Sequence, residues 1–121
     1  MRFQVSQATV LDLDVLVPLF DGYRQFYRQA SDPARARAFL AERLAQRQSL
    51  VLLAHDDEGA GVGFTQLYPL FSSVRTVRTY LLNDLFVAPH VRRHGVAKAL
   101  LTAAAEHARA LGAASLSLQT A

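Results

Sequence analysis

The chain contains no cysteine. That excludes disulfides, thiolate nucleophiles and cysteine-ligated metals. No run of 18 or more apolar residues occurs, so no membrane-spanning helix is expected. Met1-Arg2-Phe3-Gln4 opens a mixed segment without the apolar core of a signal peptide. A cytoplasmic protein with no membrane partner is the simplest reading. There is no Walker A sequence, and Ser72-Ser73 lacks the Gly-x-Ser-x-Gly setting of a nucleophile elbow. There is no internal repeat and no low-complexity segment; Ala103-Ala104-Ala105 is only a strong helix former.

What is present is 121 residues, 51% of them hydrophobic, enough for one small domain spanning 1–121 with a core of its own. The net charge of +3 is mildly basic. The arginines are scattered and form no long patch, so nucleic acid is not the expected partner. An anionic cofactor accounts for part of the excess equally well.

The chain is organised around Asn83 to Leu111. Tyr80 to Val87 is apolar with aromatic and β-branched residues, as in a buried strand, and Pro89 should end it. Val96, Ala97, Leu100, Leu101, Ala104, Ala108 and Leu111 recur at steps that mark one helix face, and Gly112 suits its C-terminal end. Arg92, Arg93, His94 and Gly95 lie between the two. A helix start bares unpaired N–H groups and partial positive charge. Gly95 lets an anion approach the backbone, Ala97 is small, and Arg92, Arg93 and Lys98 add full charge. The arrangement suits a phosphate or pyrophosphate; the alternative is a helix start that happens to be basic.

Before this stretch, Phe3 to Ala8 alternates like a strand. Leu13, Leu16, Val17, Phe20, Tyr23, Phe26 and Tyr27 follow at helical spacing, capped by Thr9 or Asp12. Pro18 should kink this helix or delay its start. Asp32-Pro33 opens a second helix with Phe39, Leu40 and Leu44 on its buried side. Leu50 to Ala54 and Val62 to Tyr68 form a hairpin around a polar, glycine-rich turn. Gly59, Gly61 and Gly63 precede a strand, so they mark this turn and not a dinucleotide fingerprint. Pro69 to Arg75 reads as a loop, Val77 to Val87 as the next strand, and Ala114 to Gln119 as the last. The fold class is α/β: a mixed, mostly antiparallel sheet with helices on both faces and one parallel crossover. His90 and His94 are four apart but sit in a loop between Pro89 and Gly95, so no metal is expected.

Arg92-Arg93-His94-Gly95-Val96-Ala97 resembles the acetyl-CoA signature of the GNAT N-acetyltransferases, Arg/Gln-x-x-Gly-x-Gly/Ala. Leu82 to Val87 resembles that family's central strand, and the element order fits along nearly the whole chain. Within the family the likeness is greatest to the diamine and small-amine acetyltransferases. The resemblance implies a GNAT fold and acetyl-CoA as co-substrate. It implies transfer of the acetyl group to a primary amine of a small molecule or protein, by direct attack in a ternary complex. The backbone of Leu85, Phe86 and Val87 would pair with the pantetheine arm, and Arg92, Arg93, His94, Gly95, Val96, Ala97 and Lys98 would hold the pyrophosphate. Tyr23, Tyr27 and Tyr68 become candidates for the amine pocket, the alternative being core packing.

Those enzymes often carry glutamate where this chain has Asn83, and asparagine cannot be a general base. Asp84 or an ordered water would then take the proton, unless Asp84 is merely a hydrogen-bonded strand residue. The family continues past this chain's last residue with a further helix, a tyrosine and two strands. Against that pattern the chain is C-terminally truncated: either it is cut or split, or a partner completes the sheet; it is expected to be a poor enzyme alone, the full-length chain active, and the assembly a homodimer. The competing readings are a non-catalytic CoA-binding or interaction module and a basic nucleic-acid-binding domain.

Overall fold

A computed structural model of the chain describes residues 1–119. Its elements run β1 (Phe3–Gln7), α1 (Leu13–Phe26), α2 (Pro33–Ala45), β2 (Leu50–Asp56), β3 (Gly61–Ser72), β4 (Val77–Val87), α3 (Val96–Ala110) and β5 (Ser115–Leu118). One-turn 3-10 segments, Val10–Asp12 and Pro89–Val91, precede α1 and α3. The five strands lie in sequence order, antiparallel from β1 to β4 and parallel between β4 and β5. No helix among the described residues is long and apolar enough to cross a membrane.

Helices cover both faces of the sheet. On one face the rings of Phe64 and Phe86 meet Phe20 and Tyr23 of α1 at centroid distances of 5.6 to 6.2 Å. On the other, a Cβ on Gly63 would touch Val96 and Leu100 of α3. The core between these layers includes Leu16, Leu40, Leu52, Phe64, Leu67 and Leu100, each fully buried. Thr9 caps the turn before α1 in a capping box, and Asp32 caps α2 by accepting from the Arg35 N–H. At the end of α3, Gly112 has φ +83°, and the N–H groups of Ala113 and Gly112 donate to Ala108 and Arg109. This is the double bond pattern of a Schellman cap.

Three expectations need correction. Pro18 does not delay α1, which starts at Leu13; the ring sits exposed in the second turn and costs one bond to the Asp14 carbonyl. Pro69 to Arg75 is not a loop, because β3 continues to Ser72 with Pro69 opposite Tyr80. The last β2 residue opposite β3 is Leu50, paired with Leu67. Pro69 therefore lies on a free edge, where a missing N–H breaks no ladder. Finally, Phe26 and Tyr27 leave the buried stripe at the end of α1 and are 64% and 41% exposed, and Phe39 is half-exposed beside a cavity.

Candidate active site

A bulge in β4 organises the site. Gln66 pairs with Asp84 and Leu67 with Leu82, so Asn83 is an extra residue in β4. Bulges bend a strand and re-aim its side chains. The pairing with β5 ends at the same place: Leu82 lies opposite Leu118, and the Gln119 N–H donates to the Leu82 carbonyl. Beyond it, among the described residues, β4 has a strand partner on the β3 side only.

Ala88 donates its N–H to Val62 of β3, and the Asp84 carbonyl accepts from the Thr65 hydroxyl, also on β3. Peptide groups alternate along a strand, so Phe86 faces β3 as well, and Leu85 and Val87 turn theirs to the open edge. Phe86 thus departs from the expected set: its backbone belongs to the ladder and its ring to the α1 cluster. Among the described residues the backbone groups of Leu85 and Val87 meet no partner apart from a 3.4 Å bond from Arg92 Nε to the Val87 carbonyl.

The chain then turns through Pro89–Val91 into residues 92–95. Val91 and Val96, both buried, pin the two ends of this loop, leaving Arg92, Arg93, His94 and Gly95 exposed. Arg93 has φ +72° and Gly95 φ +83°. A left-handed arginine is uncommon and costs of order 1–3 kcal/mol, the kind of strain that concentrates at functional loops. No side chain caps α3, in contrast to Thr9 and Asp32 at the earlier helical starts. Its first helical bond runs from Ala99 to Gly95, leaving the N–H groups of Val96, Ala97 and Lys98 without helical acceptors.

Two of the cavities beside α1 share Tyr23. One of about 340 Å³ is lined by Phe20, Tyr23, Arg24, Arg35, Ala36, Phe39, Tyr68, Asn83 and Asp84. A cleft of about 110 Å³ is lined by Tyr23, Phe26, Tyr27, Leu85, Phe86, Val87 and Arg92. The expected tyrosines therefore split: Tyr68 lines the larger pocket, Tyr27 the narrow cleft, and Tyr23 stands between them. A depression of about 720 Å³ is lined by residues such as Arg47, Pro69, Tyr80 and Leu111 and by none of residues 83–98. Its size does not make it the site, because no carboxylate lines it.

Asp84, 5% exposed, accepts from Gln66 Nε2 at 2.7 Å and from Asn83 Nδ2 at 3.0 Å. Ser49 donates to Gln66 Oε1 at 2.8 Å, which fixes the amide so that its NH₂ faces Asp84. Asn83 thus stands beside the carboxylate as a donor. Burial, reinforced by the negative charge of Asp84, pushes the Tyr68 hydroxyl up to about 12. Tyr23 is raised as well, first by burial and then by the Asp84 carboxylate beside it. Both phenols remain protonated at neutral pH and can only donate or polarise there. Gln66, Arg24 and Arg35 were not singled out from the sequence. Gln66 had left a signal: an amide inside the apolar run Val62 to Tyr68, which once buried must find partners.

Comparison with known proteins places this geometry. A family model described as "Acetyltransferase (GNAT) family" matches residues 16–121. The chain is 51% identical over 116 residues to a Bacillus subtilis (strain 168) protein called uncharacterized N-acetyltransferase YhfO, covering 96% of this chain and 77% of that one. It is 38% identical over 101 residues to a probable acetyltransferase of Haemophilus influenzae (strain ATCC 51907 / DSM 11121 / KW20 / Rd), covering 84% of this chain and 69% of that one. A crystal structure of a probable acetyltransferase superposes with a TM-score of 0.92 at 43% identity, over 98% of this chain and 79% of that one.

Proposed function

The chain belongs to the acetyltransferase (GNAT) family, and on that premise we propose that it transfers the acetyl group of acetyl-CoA to a primary amine by direct attack. One observation carries the reading: an unpaired strand edge at Leu85 and Val87 leads directly into an uncapped helix start at Val96. The free peptide groups of that edge suit the amides of a pantetheine arm. The N–H groups of Val96, Ala97 and Lys98, with Arg92, Arg93 and Lys98 side chains around them, suit a pyrophosphate. His94 and Gly95 complete the loop, and Gly95 has open space where a Cβ would stand.

Acetyl-CoA supplies the acetyl thioester; the amine nitrogen bonds to its carbonyl carbon as the carbon–sulfur bond breaks, and CoA leaves as the thiol. Asp84 takes one proton from the incoming ammonium and releases it to solvent. A second proton travels with the sulfur. Asn83 and Gln66 hold the carboxylate in place while it does this. Tyr23, between the two cavities, sits where amine and acetyl group would meet. The free N–H of Leu85 or Val87 is available to polarise the carbonyl oxygen. Most of the rate enhancement then comes from holding the partners in reach of one another.

The test is calorimetric titration with CoA alongside an acetylation assay on a panel of amines. Arg93→Glu should abolish CoA binding. Asp84→Asn should retain binding and lower kcat by about 10²- to 10⁴-fold, the usual contribution of a positioned general base. CoA binding without product from any amine would leave a non-catalytic CoA-binding module as the better reading, and no CoA binding would end both. A protein amine as acceptor, a cytoplasmic location and a homodimer belong to the same proposal. The exposed Leu70, Phe71 and Val74 around the β3–β4 turn supply apolar surface in support of the last.

A further inference from the structure

We propose that the acceptor is a small amino acid-like zwitterion, an amine that also carries a carboxylate, with an apolar or aromatic side chain. This deepens the acetyl-transfer reading and rests on it. The larger pocket holds charges of both signs. Asp84 supplies the negative charge, and Arg24 and Arg35 supply two positive ones. Among the described residues neither arginine has a carboxylate within salt-bridge distance, the ion pairs being Arg37–Asp14 and Arg43–Glu42.

Arg24 is the more telling of the two. Its Nη1 is buried and has no hydrogen-bond partner among the described residues. Buried donors are seldom left so, and a guanidinium fork matches a carboxylate in a bidentate fashion. The charge of Arg24 does act on Asp21, but that carboxylate is already engaged by Ser31, Gln25 and the Asp32 N–H. A second anion from outside the protein is what the site lacks.

An ammonium at Asp84 and a carboxylate at Arg24 and Arg35 would orient the substrate from both ends. The space between them is walled by Phe20, Phe39 and Tyr68, with Phe20 and Phe39 stacked at 5.8 Å. That wall suits an apolar or aromatic side chain. A volume of about 340 Å³ is near the small end of ligand pockets and suits a free small molecule. A diamine would bring a second ammonium toward two guanidiniums, and like-charge juxtaposition selects against it. The pocket therefore departs from the diamine likeness of the sequence.

The experiment compares L-phenylalanine and L-leucine with their decarboxylated amines, phenethylamine and isoamylamine, and with putrescine, using the protein and acetyl-CoA. The expected kcat/KM favours each amino acid over its amine by about 10- to 100-fold, the worth of a charge-assisted hydrogen-bonded pair. Arg24→Met should collapse that ratio toward one, chiefly through KM. Arg35→Met, at an exposed position, should reduce it as well. Equal or better rates with the plain amines or putrescine overturn the inference while leaving acetyl transfer intact. Should no compound be turned over, the acetyl-transfer reading fails. Calorimetry then still decides the ligand class: L-phenylalanine bound by the protein and lost in Arg24→Met supports it, and no binding overturns it.

Discussion

Asp21 and Asp84 are the two buried carboxylates among the described residues, and they differ in what holds them. Asp21, on α1, accepts from Ser31 Oγ at 2.7 Å, Gln25 Nε2 at 3.0 Å and the Asp32 N–H at 2.8 Å. It ties the loop after α1 to the start of α2 and faces neither cavity. Those bonds, that of Ser31 foremost, hold its carboxyl below the ordinary value of 3.8. The depressed value fixes the sign: the stability it adds is present above pH 3.8 and is lost as pH falls through the folded value. Asp21→Asn should therefore cost about 1–3 kcal/mol at pH 7. The gap to the unsubstituted protein should be narrower at about pH 3 than at pH 7, as the Asp21 carboxyl begins to take up its proton. Urea melts at the two pH values check this, and an equal gap at both would contradict it. Asp84 is held by two amides instead, with a cavity before it. Both residues are plain aspartates in the sequence; only the neighbours that the fold brings up distinguish a latch from the base proposed at Asp84.

At the scale of elements, β4 and α3 carry the proposed CoA site, and β3 sets how closely they meet. A Cβ on Gly63 would lie 2.9 Å from the Phe86 carbonyl oxygen, 3.0 Å from Val96 Cγ1 and 3.2 Å from Leu100 Cδ1. The backbone oxygen cannot swing aside as a side-chain end could. Gly63→Ala should destabilise by about 1–3 kcal/mol, the usual cost of overpacking. It should also push the start of α3 away from β4 and weaken CoA binding. Thermal melts paired with CoA titration test both effects, and a variant with unchanged stability and affinity would show that the contact can relax. The strand and helix patterns around residues 80 to 111 were plain in the sequence because their periods differ. The bulge at Asn83 was not, since it arises where β3 and β4 fail to stay in register and leaves no local composition signal.

At the scale of the molecule, the sheet places the β4 edge left open among the described residues and the pocket beside α1, while the large depression is lined by none of residues 83–98. Leu70, Phe71 and Val74 are exposed around the β3–β4 turn, Val74 almost wholly. If they meet a second copy, sedimentation velocity should show twice the mass of one chain, and Phe71→Asp with Val74→Asp should return it to a monomer. A monomer at every concentration tested would remove the homodimer from the proposal. Read alone, the sequence determined the element order, the helix caps and the basic glycine turn, because hydrophobic period, capping chemistry and glycine's backbone freedom act over a few neighbouring residues. The tertiary structure alone decided that Leu85 and Val87 face an open edge and Phe86 does not. It also decided that Gln66 grips Asp84 and that Arg24 and Arg35 share a pocket with it. These depend on pairing register and on contacts between residues 18 to 60 positions apart in the chain, and no local pattern encodes such meetings.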